Sequence, residues 1–419
     1  MELINIIKEF EKTAETDKLD LTSESDSLKI ETLADKLYNS AKSLSFLREL
    51  EKEMIKVKSD YGLMSHSAVK IALSKKILSE TNEKIHFTIV FAVYKEHNRI
   101  LTKKEHPHGE DFLIRKIKQL EHITGEFPDI TWDMEVVDDG CPYNSGKIAE
   151  KILAERYKGN NVKVLYLQDA VDAGLESVKG LKTTDDSRKG GAIEYGMQYA
   201  AQRHLPGHII IYTDADLSTH LGQIGLLAEP VIKDGKYAAV ASRRENASVV
   251  IKKGTRNLRG KLFIYLWKRI IRRLDYITDT QCGFKAFRAE TAEKIVVNTI
   301  EKKFAFDIEL LLKTDILKRK SIAKVPIAWI DSDAESTTTD LQPYTDMLKA
   351  VADMYFMYLP PNASSHSFAY FVKSLTNEQW EYLVDRIPDG IAAKSAIHYD
   401  VYDEIKVEDF KKILDGMNQ

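Results

Sequence analysis

The sequence predicts an α/β fold, a mostly parallel sheet flanked by helices, and two observations carry that expectation. From His86 onward five short apolar runs recur, HFTIVFAVY, WDMEVVDDG, VKVLYLQD, HIIIYTDAD and KYAAVAS, each a buried-strand pattern. Helical patterns separate them, near 111–123, 145–157, 190–204 and 220–233, and strands alternating with helices of this length make crossover units. Ligands of such sheets bind beyond the carboxyl ends of the strands, which is where the acids of these runs fall.

Taken in order, residues 1–84 place apolar side chains at helical spacing (Leu28, Leu33, Leu37; Leu44, Leu47, Leu50, Ile55), which predicts a helical N-terminal region without visible chemistry. Residues 85–340 form the sheet domain. Two connections in it are long and polar, Thr102–Glu110 and Asp169–Lys189, and both are expected to hang over the ligand end. Residues 341–419 predict a helical extension: a run to about Tyr358, a break at Pro-Pro-Asn-Ala-Ser-Ser (360–365), and a tail holding Trp380, Tyr382 and Phe410.

Composition narrows the function classes. With 43% hydrophobic and 30% charged residues, 10 Pro and 20 Gly, the chain is an ordinary globular one. Lys and Arg number 61 against 64 Asp and Glu, a net charge of −3, so no global field holds nucleic acid. Two cysteines, Cys141 and Cys282, build neither a disulfide framework nor a four-ligand zinc site, which fits a reducing, cytoplasmic setting. No window of apolar residues is long enough to span a bilayer, and the N-terminus does not read as a signal peptide.

The sharpest motif is Thr213-Asp214-Ala215-Asp216-Leu217-Ser218, directly after the apolar strand HIIIY. Two carboxylates two residues apart at a strand end suit Mg²⁺ or Mn²⁺ bridging a diphosphate; the bland reading is a solvated turn with Asp216 or Ser218 as a helix cap. Two more strands end in acids, Asp138-Asp139-Gly140 and Val93-Tyr94-Lys95-Glu96. Carboxylates gathered at one cleft repel unless a cation or donors are present, and a metal–nucleotide site supplies both. Lys189-Gly190-Gly191 opens a helix whose backbone amides and dipole favour an anionic group. His97, His106 and His108, in or next to the first long loop, read as part of a flexible polar segment near the nucleotide.

In order, FAVYKEHN, EVVDDG, KGGAIEYG, YTDADLS, DTQCGFKAF and FAFDIELLL resemble the family-2 glycosyltransferases of the GT-A fold, over roughly residues 86–335. The last three motifs are most similar to the branch that makes dolichyl- or polyprenyl-phosphate sugars. The resemblance implies a nucleoside-diphosphate sugar donor, with Glu96 and Asp139, and Asp138 close by, at the base and ribose, Asp214 facing the ribose or metal, and Asp216 on the cation; Tyr94, Lys189, Gly190 and Gly191 are further candidate contacts of the nucleotide sugar. The sequence departs from the pattern at Ala92, where the family has Pro, and in the lengthened first loop and the charged insertion before the Gly-Gly.

Asp279, Asp307 and Glu309 compete for a catalytic base, which is needed only if the acceptor is not already ionised. Asp307 also reads as a helix N-cap and Asp279 as a turn acid ordering Thr280–Phe287, while Arg243, after the fifth strand, is placed for a diphosphate or acceptor phosphate. The run Lys252–Arg273 holds nine Lys and Arg and no acid, and reads as one amphipathic helix that meets phosphate or anionic lipid, with a solvated helix face as the alternative. The expected function is a metal-dependent hexosyl transfer to a phosphate-bearing, lipid-linked or hydroxyl acceptor, cytoplasmic and peripheral on the inner membrane face. The alternatives are a sugar-phosphate nucleotidyltransferase, which FAVYKEHNRI disfavours because it holds no glycine, and a catalytically silent nucleotide-sugar or membrane-binding module.

Overall fold

The computed structural model describes residues 2–251, 257–331, 343–399 and 405–418. Four helices come first: α1 (Glu2–Thr13), α2 (Glu24–Ser40), α3 (Leu44–Lys56) and α4 (Leu63–Ser79). Ser23 caps α2 by accepting a hydrogen bond from the Asp26 amide. Helix α4 is buried nearly all round, and its two inner lysines are matched: Lys70 pairs with Glu51 at 2.6 Å, and Lys75 with Asp35 and Glu126 at 2.8 Å each.

The main sheet and its crossovers follow as β1 (Ile85–Val93), α5 (Phe112–Thr124), β2 (Ile130–Asp138), α6 (Ser145–Arg156), β3 (Val162–Tyr166), α7 (Leu167–Asp172), α8 (Gly190–Ala201), β4 (His208–Thr213), α9 (Ile224–Ile232), β5 (Ala238–Ser242), β6 (Val249–Ile251) and α10 (Asn257–Ile270). Then come β7 (Phe284–Arg288), α11 (Ala289–Ile295), α12 (Phe306–Leu317), β8 (Ile322–Pro326) and β9 (Ala328–Ile330). The chain closes with α13 (Tyr344–Tyr358), α14 (Ala363–Ser374), α15 (Asn377–Asp385), α16 (Asp389–Ala392) and α17 (Val407–Asp415).

The seven-stranded sheet has the order β3-β2-β1-β4-β7-β5-β8, and only β7 runs antiparallel to its neighbours. The order reverses between β1 and β4, so a crevice opens outside their carboxyl ends. Alternate side chains of each strand enter different cores. Phe87, Ile89, Phe91, Ile209 and Ile211 join the core that also holds α2, α3 and α4, whereas Val90, Val137, Ile210 and Tyr212 join the core built with α8, α10 and α12 to α14.

Three sequence expectations change here. The Asp169–Lys189 connection is partly ordered as α7 and two short 3₁₀ turns, with Ser177 and Val178 buried. The run of strands does not stop at the fifth: β7 is wedged between β4 and β5, β8 extends the edge, and β6 pairs with β9 in a small second sheet. Of the basic run, Lys252, Lys253 and Arg256 lie outside the described residues, and α10 is not an exposed amphipathic face. Its residues 262–270 are all buried, Lys268 and Arg269 included, beneath α13, α14 and α16. Arg259 pairs with Glu381 and Lys261 donates to the Ala392 carbonyl at 2.5 Å, so the C-terminal helices take up part of that charge.

Candidate active site

The crevice is furnished by the ends of β1, β2, β4 and β5 and the start of β7. After β1 the chain leaves the sheet through Lys95, whose φ of 61° turns the backbone sharply. That turn presents Tyr94 half-buried and sends Glu96 inward, where it accepts from Arg99 Nη1 at 3.2 Å. Burial pushes Glu96 up to about 7, against the opposing charge of Arg99. After β2, Asp139 accepts from the Lys189 amide at 2.7 Å. Burial pushes it up to about 6, opposed by Ser187 and the Lys189 amide.

Asp138, expected beside the nucleoside, is occupied by the protein itself. Its carboxylate accepts from the Cys141 amide at 2.8 Å and the Gly146 amide at 2.7 Å, fixing the turn into α6. Gly190 and Gly191 start α8, and Gly190 is required by contact: a Cβ there would lie 2.7 Å from the Lys302 backbone. The Lys302 carbonyl accepts from the amides of Arg188 at 3.2 Å and Gly191 at 3.0 Å, which locks this loop to the 300–304 segment.

Asp214 and Asp216 follow β4, with side chains 33% and 26% exposed. Lys189 sets its ammonium against Asp214. Burial would raise Asp214, but the charge and hydrogen bond of Lys189, with Lys285 and Arg243 nearby, outweigh it and hold the carboxylate below its ordinary range. Asp216 accepts from the Ser218 amide at 3.0 Å and lies 3.7 Å from Arg99. Gly283, just before β7, meets this pair so closely that a Cβ would come within 2.3 Å of both Asp214 oxygens.

Among the described residues no group of three His, Cys, Asp or Glu is placed to hold a metal. Two carboxylates still suit Mg²⁺ or Mn²⁺, hard cations that accept one or two protein oxygens and complete their shell with phosphate and water. The Lys189 ammonium lies against Asp214, so one of the two carboxylates already faces a positive group.

The remaining predicted residues are nearby but engaged. Arg243 grips Asp279 through Nε at 2.8 Å and Nη2 at 2.7 Å, donates its own amide to the same carboxylate, and stacks 5.2 Å from Trp329. This bidentate pair raises the guanidinium and holds Asp279 well below the usual range, against the cost of burial. Neither is a free phosphate ligand or base. Asp307 is not a helix cap, because α12 starts one residue earlier with Ala305 as its N-cap. It is buried and takes hydrogen bonds from Tyr212 and, at 2.5 Å, from Lys285. Burial pushes Asp307 up to about 8 and Lys285 down to about 7, each away from its charged form. Glu309 accepts from the amides of Ile300 and Glu301 at 2.8 Å each, away from the strand ends.

Four charged neighbours of the site escaped the sequence reading: Arg99, Glu110, Lys116 and Lys285. Arg99 binds both Glu96 and Glu110. Lys116 is fully buried on α5, 5.7 Å from the Phe91 ring, and its Nζ makes no hydrogen bond among the described residues. Burial pushes it down to about 8, with Asp216 and Asp214 opposing. The signal was available, since Lys116 shares the apolar stripe of Leu113, Ile117 and Leu120.

No protein-family model matches the chain. Dolichyl-phosphate β-glucosyltransferase of Drosophila melanogaster is 25% identical over 289 residues, 67% of this chain and 76% of the relative. The Saccharomyces cerevisiae enzyme of that name is 26% identical over 66% of this chain and 75% of its own, and the Homo sapiens one 25% over 71% and 84%. Among solved structures, glucosyl-3-phosphoglycerate synthase of Mycobacterium tuberculosis with Mn²⁺, UDP-glucose and phosphoglyceric acid covers 70% of this chain and 85% of its own, at 14% identity and a TM-score of 0.46. By sequence the chain is a homologue of the dolichyl-phosphate β-glucosyltransferases, family-2 enzymes of the GT-A type, and is a glycosyltransferase.

Proposed function

We propose that the chain transfers a hexose, glucose being the first candidate, from a nucleoside-diphosphate sugar to a phosphate-bearing acceptor, with Mg²⁺ or Mn²⁺. The observation that carries this reading is the meeting of Asp214, Asp216 and Lys189 at the crevice between β1 and β4. The relatives' name supports it, pairing a glucosyl group with a phosphate-bearing acceptor.

Asp214 and Asp216 would hold the cation, which supplies charge neutralisation for a departing nucleoside diphosphate. The Lys189 side chain and the α8 amides at Gly190 and Gly191 face the same anionic group. Tyr94, Glu96 and Asp139 border the nucleoside side, where buried carboxylates accept hydrogen bonds from base and ribose. An ionised phosphate acceptor needs no base, which accords with Asp307 being buried and bound by Lys285 and Tyr212. Arg243 and Asp279 then act as a rigid brace between β5 and the segment before β7. With a lipid-linked acceptor the reaction lies at a membrane face, although no described helix is long and apolar enough to cross one.

Calorimetric titration of UDP, GDP and their sugars with Mn²⁺, followed by detection of the glycosylated product, tests the reading. A saturable, metal-dependent heat with one nucleotide is expected. Absence of binding to every nucleotide, or transfer that persists in EDTA, overturns it.

A further inference from the structure

Lys116 stands on α5, in the layer of helices on the opposite face of β1 from α8. It is fully buried, its Nζ 5.7 Å from the Phe91 ring, and it donates no hydrogen bond among the described residues. Every other lysine buried among the described residues does donate: Lys70 to the Pro326 carbonyl at 3.1 Å, Lys75 to Asp35 at 2.8 Å, Lys268 to Thr278 at 3.1 Å, Lys285 to the Cys282 carbonyl at 2.6 Å and Lys302 to the Ser177 carbonyl at 2.5 Å. A buried ammonium without a hydrogen bond is costly, and a methionine would fill much the same volume without that cost.

Burial works against the Lys116 charge; Asp216, Asp214 and Glu110 favour it, in that order, and Arg99 opposes. Helix packing sets these neighbours. One turn further along α5, Gln119 accepts from the Leu221 amide at 3.0 Å, so this face of the helix lies against the segment that follows Asp216. Glu110 is held by Arg99 Nε at 3.0 Å, and Arg99 also takes Glu96 at 3.2 Å. Shared by these two nearer acids, Arg99 reaches Asp216 only at 3.7 Å. Asp214 has the Lys189 ammonium against it. Asp216 is thus the acid with charge to spare, and Lys116 is the buried cation that answers it at longer range.

Resting on the transferase reading above, we propose that Lys116 is a positioning residue of the donor site, a fixed positive charge behind the metal acids that weakens their grip on a bare dication and strengthens the attraction for a nucleoside diphosphate. Coulomb's law gives the two effects opposite signs, because one ammonium repels Mn²⁺ and attracts a diphosphate through the same low-dielectric wall. Cation and nucleotide are favoured together, since their charges largely cancel, over the cation alone. Neither Arg99, held between two carboxylates, nor Lys189, in contact with Asp214, is an uncommitted charge of this kind.

Lys116→Met removes the charge at nearly constant volume, and Lys116→Arg keeps it. On the full chain, Mn²⁺ alone is titrated by electron paramagnetic resonance, and UDP and GDP in EDTA by calorimetry. In Lys116→Met, Mn²⁺ is expected to bind at least about tenfold more tightly and metal-free nucleotide at least about tenfold more weakly, with the melting temperature held or raised. A lysine with a merely structural role would move both affinities downwards. Lys116→Gln gives the same two directions should Lys116→Met misfold. Mn²⁺ affinity that is unchanged or weaker in the folded variant overturns the proposal, as does metal-free nucleotide binding that tightens. A folded Lys116→Arg that behaves like Lys116→Met assigns the effect to shape and overturns it too. A wild type that binds neither nucleotide, with or without Mn²⁺, overturns the transferase reading and this proposal with it, whereas wild-type binding that Lys116→Met reproduces overturns the role of Lys116 alone.

Discussion

Asp216 holds its place through one amide hydrogen bond and one distant arginine, so its charge is spare for a ligand. Asp216→Asn keeps that hydrogen bond and removes the charge. Turnover is expected to fall at least about a hundredfold, because leaving-group stabilisation worth several kcal/mol is lost; steady-state assays across a Mn²⁺ series read it, and full activity at saturating metal refutes the role. Gly283→Ala acts on the neighbouring acid without touching its chemistry. The new methyl would overlap Asp214, so metal-dependent activity should drop while far-UV circular dichroism stays native. Asp139→Asn keeps an oxygen for the Lys189 amide, so melting should hold while nucleotide affinity weakens by about tenfold. A large fall in melting temperature with intact affinity would make Asp139 a purely structural acid.

At the scale of elements, the end of the sheet opposite the crevice carries a buried polar cluster from β1, β2, β4 and the residues after α8. The Nε2 atom of His208 lies 2.8 Å from Thr88 Oγ1, and its ring is 5.2 Å from that of His86, with Arg203, Asp133 and Glu135 alongside. Burial, with the charges of His86 and Arg203, pushes His208 down to about 3, although Asp133 opposes. A histidine held neutral in the native state stabilises the fold above its unfolded value near 6.5 and loses that stability as pH falls toward 3. From about pH 7 to about pH 4 this one residue should cost about 3 kcal/mol, and urea melts of His208→Gln should show a correspondingly smaller loss on acidification. Identical pH slopes for wild type and variant would reject this. The strands that carry both this cluster and the crevice were legible because their apolar runs end in acids. Strand β7 was not, because FKAFR is short and its apolar residues are broken by Lys285 and Arg288 without a two-residue period. Likewise DADLS marked the candidate metal pair, but nothing local shows that Arg243 and Asp279 neutralise one another across 36 positions.

For the molecule as a whole, the C-terminal helices form part of one of the two main cores. Helix α10 buries Leu262, Phe263, Tyr265, Leu266 and Trp267 in a core shared with α13 and α14, at about 2–3 kcal/mol for each large side chain. A chain ending before Tyr344 exposes this surface and is expected to aggregate on size-exclusion chromatography where the full chain elutes as a discrete species. A monodisperse, nucleotide-binding truncation would show that the sheet stands alone. The same packing explains why charge counting along the chain misplaced α10: the run holds no acid within it, and Arg259 and Arg273 meet Glu381 and Asp315 only after folding.

Strand β7 sets the order in which the enzyme comes into being. Thr213 pairs with Phe284, so the strand that brings Gly283 and Lys285 to the crevice leaves the ribosome long after its partner. An emerging chain that has completed Asp214 and Asp216 still has β4 with an open edge, lacks Lys285, and has Asp307 yet to be made. The crevice is therefore incomplete until β7 pairs, and the late, non-local closure of the sheet is expected to be the slow step of folding.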